Sequence, residues 1–288
     1  MNGVINMSVL ITGANGQLGK ELVKQFKQRD YRVFAMSRKD IDITNQVNVE
    51  EKILSYHPDV IIHAAAYTAV DLAEKNKKVA YETNALGSYY IACAAKKVGA
   101  KMVYISTDYV FNGEKSCPYT EEDEVNPLST YGMSKWIGEK LVQSSLQESY
   151  IIRTSWLYGH EGNNFVKTML YLAKQQKEIN VVNDQVGSPT YTKDLVDVIC
   201  RLLGKRYGTY HVSNSDSCSW YEFAREIFLE VGNDPTLVKS VTTKEYGAST
   251  IRPSYSVMEC KKLKNEGIKM PRSWQSALHE FMKKELAK

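Results

Sequence analysis

An α/β fold built on a doubly wound parallel sheet, with a smaller and mostly C-terminal lobe, is the class this 288-residue chain predicts, and three observations carry it. A short apolar strand, Ser8-Val-Leu-Ile-Thr12, runs into Gly13-Ala-Asn-Gly16-Gln-Leu-Gly19, after which Leu22, Val23 and Phe26 follow a helical period. Val60-Ile-Ile-His-Ala-Ala-Ala66 is almost continuously apolar, as in a strand covered on both faces by helices. Strand-like and helix-like stretches then alternate to about residue 158, the signature of parallel βαβ units.

Each element has its own chemistry. Glycines between the first strand and helix allow a tight turn and close approach of a pyrophosphate, whose charge the helix N-terminus receives. The spacing Gly-x-x-Gly-x-x-Gly differs from the commoner dinucleotide fingerprint, so placement between strand and helix carries the argument. Tyr31 to Met36 reads as the second strand and ends in Ser37-Arg38-Lys39, where an Arg beside a hydroxyl suits the extra phosphate of NADP. Asp40 and Asp42 follow and leave NADH open. His63 in the third strand has no second His or acid placed as a metal partner and reads as a core or cofactor-adjacent residue. A helix is expected from about Val79 to Val98, then strands at Met102 to Ser106 and Tyr150 to Ser155. Further on come a helix from Gly162-Asn-Asn-Phe165 to about Gln176, a short strand at Asn180 to Asp184, a helix through Leu203, and a last sheet strand at Thr209 to Ser213. Helices near Trp220 to Val231 and Trp274 to Leu286 close the chain. Residues 1–158 are thus read as a dinucleotide-binding unit joined by about 190–215, and 159–288 as a discontinuous substrate lobe.

Composition narrows the function. A formal charge of +4 with interspersed signs gives no support to nucleic-acid or membrane binding. Five scattered cysteines argue against a disulfide framework or zinc site and for a reducing compartment. Met1 to Met7 lack a signal-peptide pattern and no 18-residue apolar run occurs, so a cytoplasmic protein is expected, with Met1 to Asn6 a dispensable extension.

Chemistry is concentrated at Tyr131-Gly-Met-Ser-Lys135. On a helix the phenol and ammonium share a face, and a positive neighbour favours the phenolate and draws the pKa toward working pH. Thr107, at a strand end, is placed to hold a substrate oxygen. With 19 Tyr and 28 Lys, about two Tyr-x-x-x-Lys pairs arise by chance, so the pair has meaning only from its place after a dinucleotide fold.

Taken together, Gly13 to Gly19, Ser106-Thr-Asp-Tyr-Val-Phe111, Tyr131 to Lys135 and Arg153-Thr-Ser-Trp156 resemble the extended short-chain dehydrogenase/reductases, with a Rossmann-type nucleotide domain. Ala64-Ala-Ala-Tyr-Thr-Ala-Val-Asp71, Arg153-Thr-Ser-Trp-Leu-Tyr158, Gly162-Asn-Asn-Phe165 and Asn183-Asp-Gln-Val-Gly-Ser-Pro-Thr190 narrow this to a resemblance to the dTDP-4-dehydrorhamnose reductase family. The resemblance implies that Tyr131 gives a proton to the sugar C4 oxygen, with Lys135 depressing its pKa and Thr107 hydrogen-bonding the carbonyl. It implies NADPH held by Gly13, Asn15, Gly16, Gln17, Leu18, Gly19, Ser37, Arg38, Asp42, Ile43, Ala64, Ala65, Ala66, Tyr67, Tyr131 and Lys135. A dTDP-sugar would meet Thr68, Val70, Thr107, Tyr109, Trp156, Asn164, Phe165, Gln185 and Arg252. Some members bind magnesium at a dimer contact. Here Glu21 fits one such place, but Lys193 stands where another acid is wanted, so no required metal is expected and a homodimer stays open. The rival expectations are another nucleotide-sugar reductase or epimerase, and a non-catalytic NADP-binding regulatory subunit, against which the intact Thr107, Tyr131 and Lys135 set weighs.

Overall fold

A computed structural model describes residues 7–287, so the expectation about Met1 to Asn6 lies outside the described residues. Six parallel strands form the central sheet: β1 (Ser8–Thr12), β2 (Arg32–Met36), β3 (Val60–His63), β4 (Lys101–Thr107), β5 (Ser149–Thr154) and the Gly208–His211 strand. Their spatial order is β2-β1-β3-β4-β5 and then Gly208–His211, so the winding reverses between β1 and β3. At that point the crossovers diverge to opposite faces, and a crevice opens beyond the carboxyl ends of the strands.

The helices follow as α1 (Gln17–Lys27), α2 (Gln46–Tyr56), α3 (Val70–Lys75), α4 (Lys77–Tyr81), α5 (Gly87–Val98), α6 (Thr130–Ser145), α7 (Phe165–Lys174), α8 (Thr192–Leu202) and α9 (Trp220–Glu230), with shorter ones and Trp274–Glu285 beyond. Alternation within the strands decides which helices they meet. Val9 and Ile11 pack with Leu18, Leu22 and Phe26 of α1 and with Leu195 and Ile199 of α8. Leu10 faces the opposite side, with Val49 and Ile53 of α2, Ile91 and Ala95 of α5 and Val142 of α6. A separate core of Tyr158, Val166, Met169, Phe223, Phe228, Trp274 and Phe281 joins α7, α9 and Trp274–Glu285. Each such side chain, fully buried, contributes about 1.5–3 kcal/mol. No helix among the described residues is long and apolar enough to cross a membrane.

Two expectations needed adjustment. The helix read from about Val79 to Val98 starts at Lys77 and is interrupted by a π turn over Glu82–Leu86 before α5. Asn84 sits in that turn, accepting from Tyr67 N at 2.8 Å and donating to Tyr67 O at 3.0 Å, so a local widening of the helix braces the loop after β3. The apolar run through Ala66 leaves the strand at His63, because Ala64 to Tyr67 turn toward Asn84 instead of pairing. His63 itself is a core residue. Its ring is 1% exposed and lies between Thr12 Oγ1 at 2.7 Å and Ser88 Oγ at 3.1 Å.

Candidate functional site

A cleft of about 740 Å³ opens at the carboxyl ends of β1, β3, β4 and β5. Its floor is the glycine turn. Gly13 has φ +67°, and a Cβ there would lie 2.7 Å from Ala65 N, so the turn and the loop after β3 touch backbone to backbone. A Cβ on Gly19 would fall 2.1 Å from Gly13 O, which packs the first turn of α1 against the strand end. No side chain caps α1 and no acid occupies its first turn. Its leading N–H groups and positive dipole end therefore face the cleft, a site for an anion.

One wall carries the titratable groups. Thr107 closes β4, and its hydroxyl accepts from Tyr109 N at 3.1 Å and donates to Asp108 Oδ1 at 3.1 Å. The N-cap of α6 is Ser129, whose side chain accepts from Gly132 N, while Glu74 of α3 accepts from Thr130 N and Thr130 Oγ1, each at 2.7 Å. Tyr131 is thereby fixed at the second position of α6, its ring edge-on to Tyr109 at 5.7 Å. Lys135 is 2% exposed, with Nζ 4.0 Å from the centre of the Tyr104 ring.

The electrostatics shift the Tyr131 phenol opposite to expectation. Burial pushes the Tyr131 phenol up to about 12 and the Asp108 charge adds to the rise, with only the Thr107 hydroxyl opposing it. Burial pushes the Lys135 ammonium down to about 7 against the pull of Glu139. The ammonium faces the π cloud of Tyr104 and burial outweighs everything else at Tyr131, so the depressed phenol pKa expected from the four-residue spacing is not found. Asp108, 2% exposed, is pushed up to about 6 by burial, with Ser256 and Thr107 hydrogen bonds working the other way.

The RmlD substrate binding domain family model matches residues 7–287. The chain belongs to this family. It is 49% identical to the spore coat polysaccharide biosynthesis protein SpsK of Bacillus subtilis, over 95% of this chain and 96% of that one. It is 42% identical to a dTDP-4-dehydrorhamnose reductase of Aggregatibacter actinomycetemcomitans, over 94% of this chain and 96% of that one. Among solved structures, the dTDP-4-dehydrorhamnose reductase of Bacillus anthracis in complex with NADP superposes with a TM-score of 0.94 at 46% identity, covering 97% of this chain and 100% of that one.

Within this RmlD-family cleft the sequence candidates separate cleanly. The glycine-turn residues, Ser37, Arg38, Asp42, Ile43 and Ala64 to Tyr67 all line it, with Arg38 exposed at the rim. Thr68, Val70, Thr107, Tyr109, Tyr131, Lys135 and Trp156 line the same space. Four candidates lie outside the lining. Asn164 caps α7, accepting from Lys167 N at 3.1 Å, and donates to Gln17 Oε1 at 2.8 Å, so it ties the lobe to the glycine turn. Phe165 packs its ring on Trp220 at 4.5 Å. Gln185, 5% exposed, donates to Thr243 Oγ1 at 2.9 Å. Arg252 donates from Nη2 to both Asp71 oxygens at 3.0 and 2.9 Å, bridging α3 and the C-terminal segment, and Tyr109 lies within its reach.

Sequence reasoning missed Asp108, Ser155, Asn163 and Trp220, all in the lining. Asp108 was findable as the residue after Thr107. Trp220 carries no local signal; it enters because its ring stacks on Trp156 at 3.6 Å and 7°, a contact made across 64 residues of chain. Trp156 has φ +47°, a strained setting for a bulky residue that the stack and the neighbouring Gly187 hold in place. Of the two residues weighed for a metal, Lys193 donates to Glu280 at 2.7 Å and Glu21 accepts from Gln25 at 2.8 Å.

Proposed function

We propose that the chain is an NADPH-dependent reductase that converts the C4 ketone of dTDP-4-dehydro-L-rhamnose to the alcohol of dTDP-L-rhamnose. The observation that carries this reading is one cleft in which an uncapped glycine-turn helix start and Thr107, Tyr131 and Lys135 share a common space. Its support is the sequence relationship to a dTDP-4-dehydrorhamnose reductase and to the NADP-bound member, at 42% and 46% identity.

The residues fit the cofactor. The close backbone contact at Gly13 and Gly19 leaves the start of α1 bare for a pyrophosphate, and Arg38 at the rim offers a cation to a ribose phosphate, beside Ser37, whose hydroxyl donates to Asp40 at 2.5 Å. Bound NADPH supplies a hydride to the ketone carbon. As that carbon is reduced, negative charge develops on the C4 oxygen, and the Tyr131 phenol, with the Thr107 hydroxyl once it turns from Asp108, would receive it. A phenol held near 12 keeps its proton at neutral pH and surrenders it only to a base as strong as a forming alkoxide, so proton transfer follows charge development. Trp156 and Trp220 supply an apolar wall, and Arg252 a fork for the diphosphate once it exchanges Asp71 for substrate. In this reading 1–158 with about 190–215 forms the nucleotide unit and 159–288 the substrate lobe.

Consumption of NADPH with dTDP-4-dehydrorhamnose, compared between the wild type and Tyr131→Phe, tests the reading. The variant should lose about 10²–10⁴-fold in rate, the usual worth of a positioned acid. Full activity in the variant would sink the assignment of the proton donor. A faster rate with a different nucleotide-sugar ketone would move the substrate and leave the chemistry standing.

A further inference from the structure

The four-residue spacing that relates Tyr131 to Lys135 continues along α6 to Glu139, whose carboxylate is 1% exposed and joins three elements. Ser106 Oγ, one residue before Thr107 on β4, donates to Glu139 Oε1 at 2.5 Å. Arg153 of β5 donates from Nε to Oε1 at 3.0 Å and from Nη2 to Oε2 at 2.8 Å. As a stability device such a buried pair is inefficient, because desolvating both ions offsets most of their attraction. Its placement one turn from Lys135 suggests another reason for it.

We propose that Glu139 is a positioning residue for the reduction: clamped by Ser106 and Arg153, its carboxylate holds the Lys135 ammonium charged and locks the β4 end bearing Thr107 to the helix bearing Tyr131. The inference rests on the function proposed above. The groups facing this junction are Tyr104 and Ser106 from β4, His63 from β3, Arg153 from β5 and Tyr131 on α6 itself. Burial keeps His63 neutral down to about 3 and raises Tyr104 well above its ordinary value, so neither changes charge between pH 6 and 9. Lys135, lowered by burial to about 7 against the pull of Glu139, titrates there, while Asp108, bonded to Thr107 and raised by burial to about 6, titrates at the acid edge, so the alkaline limb is the one that reports Lys135.

The test is the pH profile of kcat/KM in the wild type, E139D and E139Q, with thermal melting to verify folding. In E139Q the alkaline limb should move down by about one pH unit or more, which for a one-unit shift is about a ninefold loss at pH 8 against about twofold at pH 6, an extra loss of about fivefold. E139D, which keeps the charge, should stay near the wild-type limb. If E139Q folds poorly because Arg153 is left uncompensated, E139Q/R153Q removes both charges and should shift the limb in the same direction by a smaller amount, since the loss of the Arg153 cation offsets part of the effect. A folded neutral variant whose limb stays in place, with rate lowered equally at every pH, would reduce Glu139 to a scaffold part. Independently of turnover, the ¹³Cε resonance of Lys135, assigned by its loss in K135R, should titrate lower in the neutral variant, and an unchanged titration overturns the inference. A wild type inactive on dTDP-4-dehydrorhamnose would count against the proposed function, whereas an active wild type with unmoved variants counts against this inference alone.

Discussion

Acid should weaken this protein well before its carboxylates are neutralised, because two imidazoles are buried where they cannot take up a proton. His63 is enclosed by Thr12 and Ser88, and His211 by the carbonyls of Tyr119 and Glu259 with Arg153 nearby. Burial leads both shifts and lowers each to about 3 from an ordinary value of 6.5. Between those limits the unfolded chain binds protons that the folded one refuses, so stability is full above pH 6.5 and falls as pH drops toward 3. Each imidazole costs about 1.4 kcal/mol per pH unit, about 4 kcal/mol for the pair at pH 5. Asp108 acts in the opposite sense. Its folded pKa of about 6 lies above the ordinary 3.8, so it binds a proton on folding and restores about 1 kcal/mol by pH 5. A net loss of about 3 kcal/mol is a large part of the 5–15 kcal/mol typical of a domain. Urea unfolding at pH 7.5, 6.5, 5.5 and 5.0 should show it, and His211→Asn should remove about 2 kcal/mol of the loss at pH 5, leaving about 1 kcal/mol. A free energy flat across that range, or a slope unchanged in the variant, would refute the reasoning.

Two further predictions concern the nucleotide site. Gly19→Ala should lower stability by about 1–3 kcal/mol and weaken NADPH binding at least tenfold, since its Cβ meets Gly13 O at 2.1 Å and backbone cannot step aside as a side chain does; melting and a binding titration measure both. Arg38→Ala should weaken NADPH binding by about 10–100-fold, the worth of a charge-assisted hydrogen bond, while leaving NADH nearly unchanged, and equal losses for the two cofactors would remove Arg38 from the phosphate site.

What the sequence revealed depended on how local the cause was. The glycine turn, the strands of the sheet and the Tyr131 helix are each set by neighbours a few residues away, through periodicity, φ requirements and capping, so their residues announce them. The N-cap at Ser129 and the left-handed Gly13 are of this kind. The strand order, with its reversal between β1 and β3, is a consequence of helices choosing faces and leaves no mark on any single stretch. Trp220 and the Asp71–Arg252 bridge are joined only by tertiary approach.

The misjudged pKa values teach the same lesson at the scale of one site. Helical spacing correctly places Lys135 and Tyr131 on one side of α6, yet spacing carries no dielectric. Burial favours the neutral form of both, raising the phenol and lowering the amine, and it leads both shifts. What opposes burial at Lys135 is the carboxylate in the other direction along the helix, which β4 and β5 hold through Ser106 and Arg153. The acidity of this site is therefore a property of the packed sheet and helix together, and a Tyr-x-x-x-Lys pair grafted onto an exposed helix would not reproduce it.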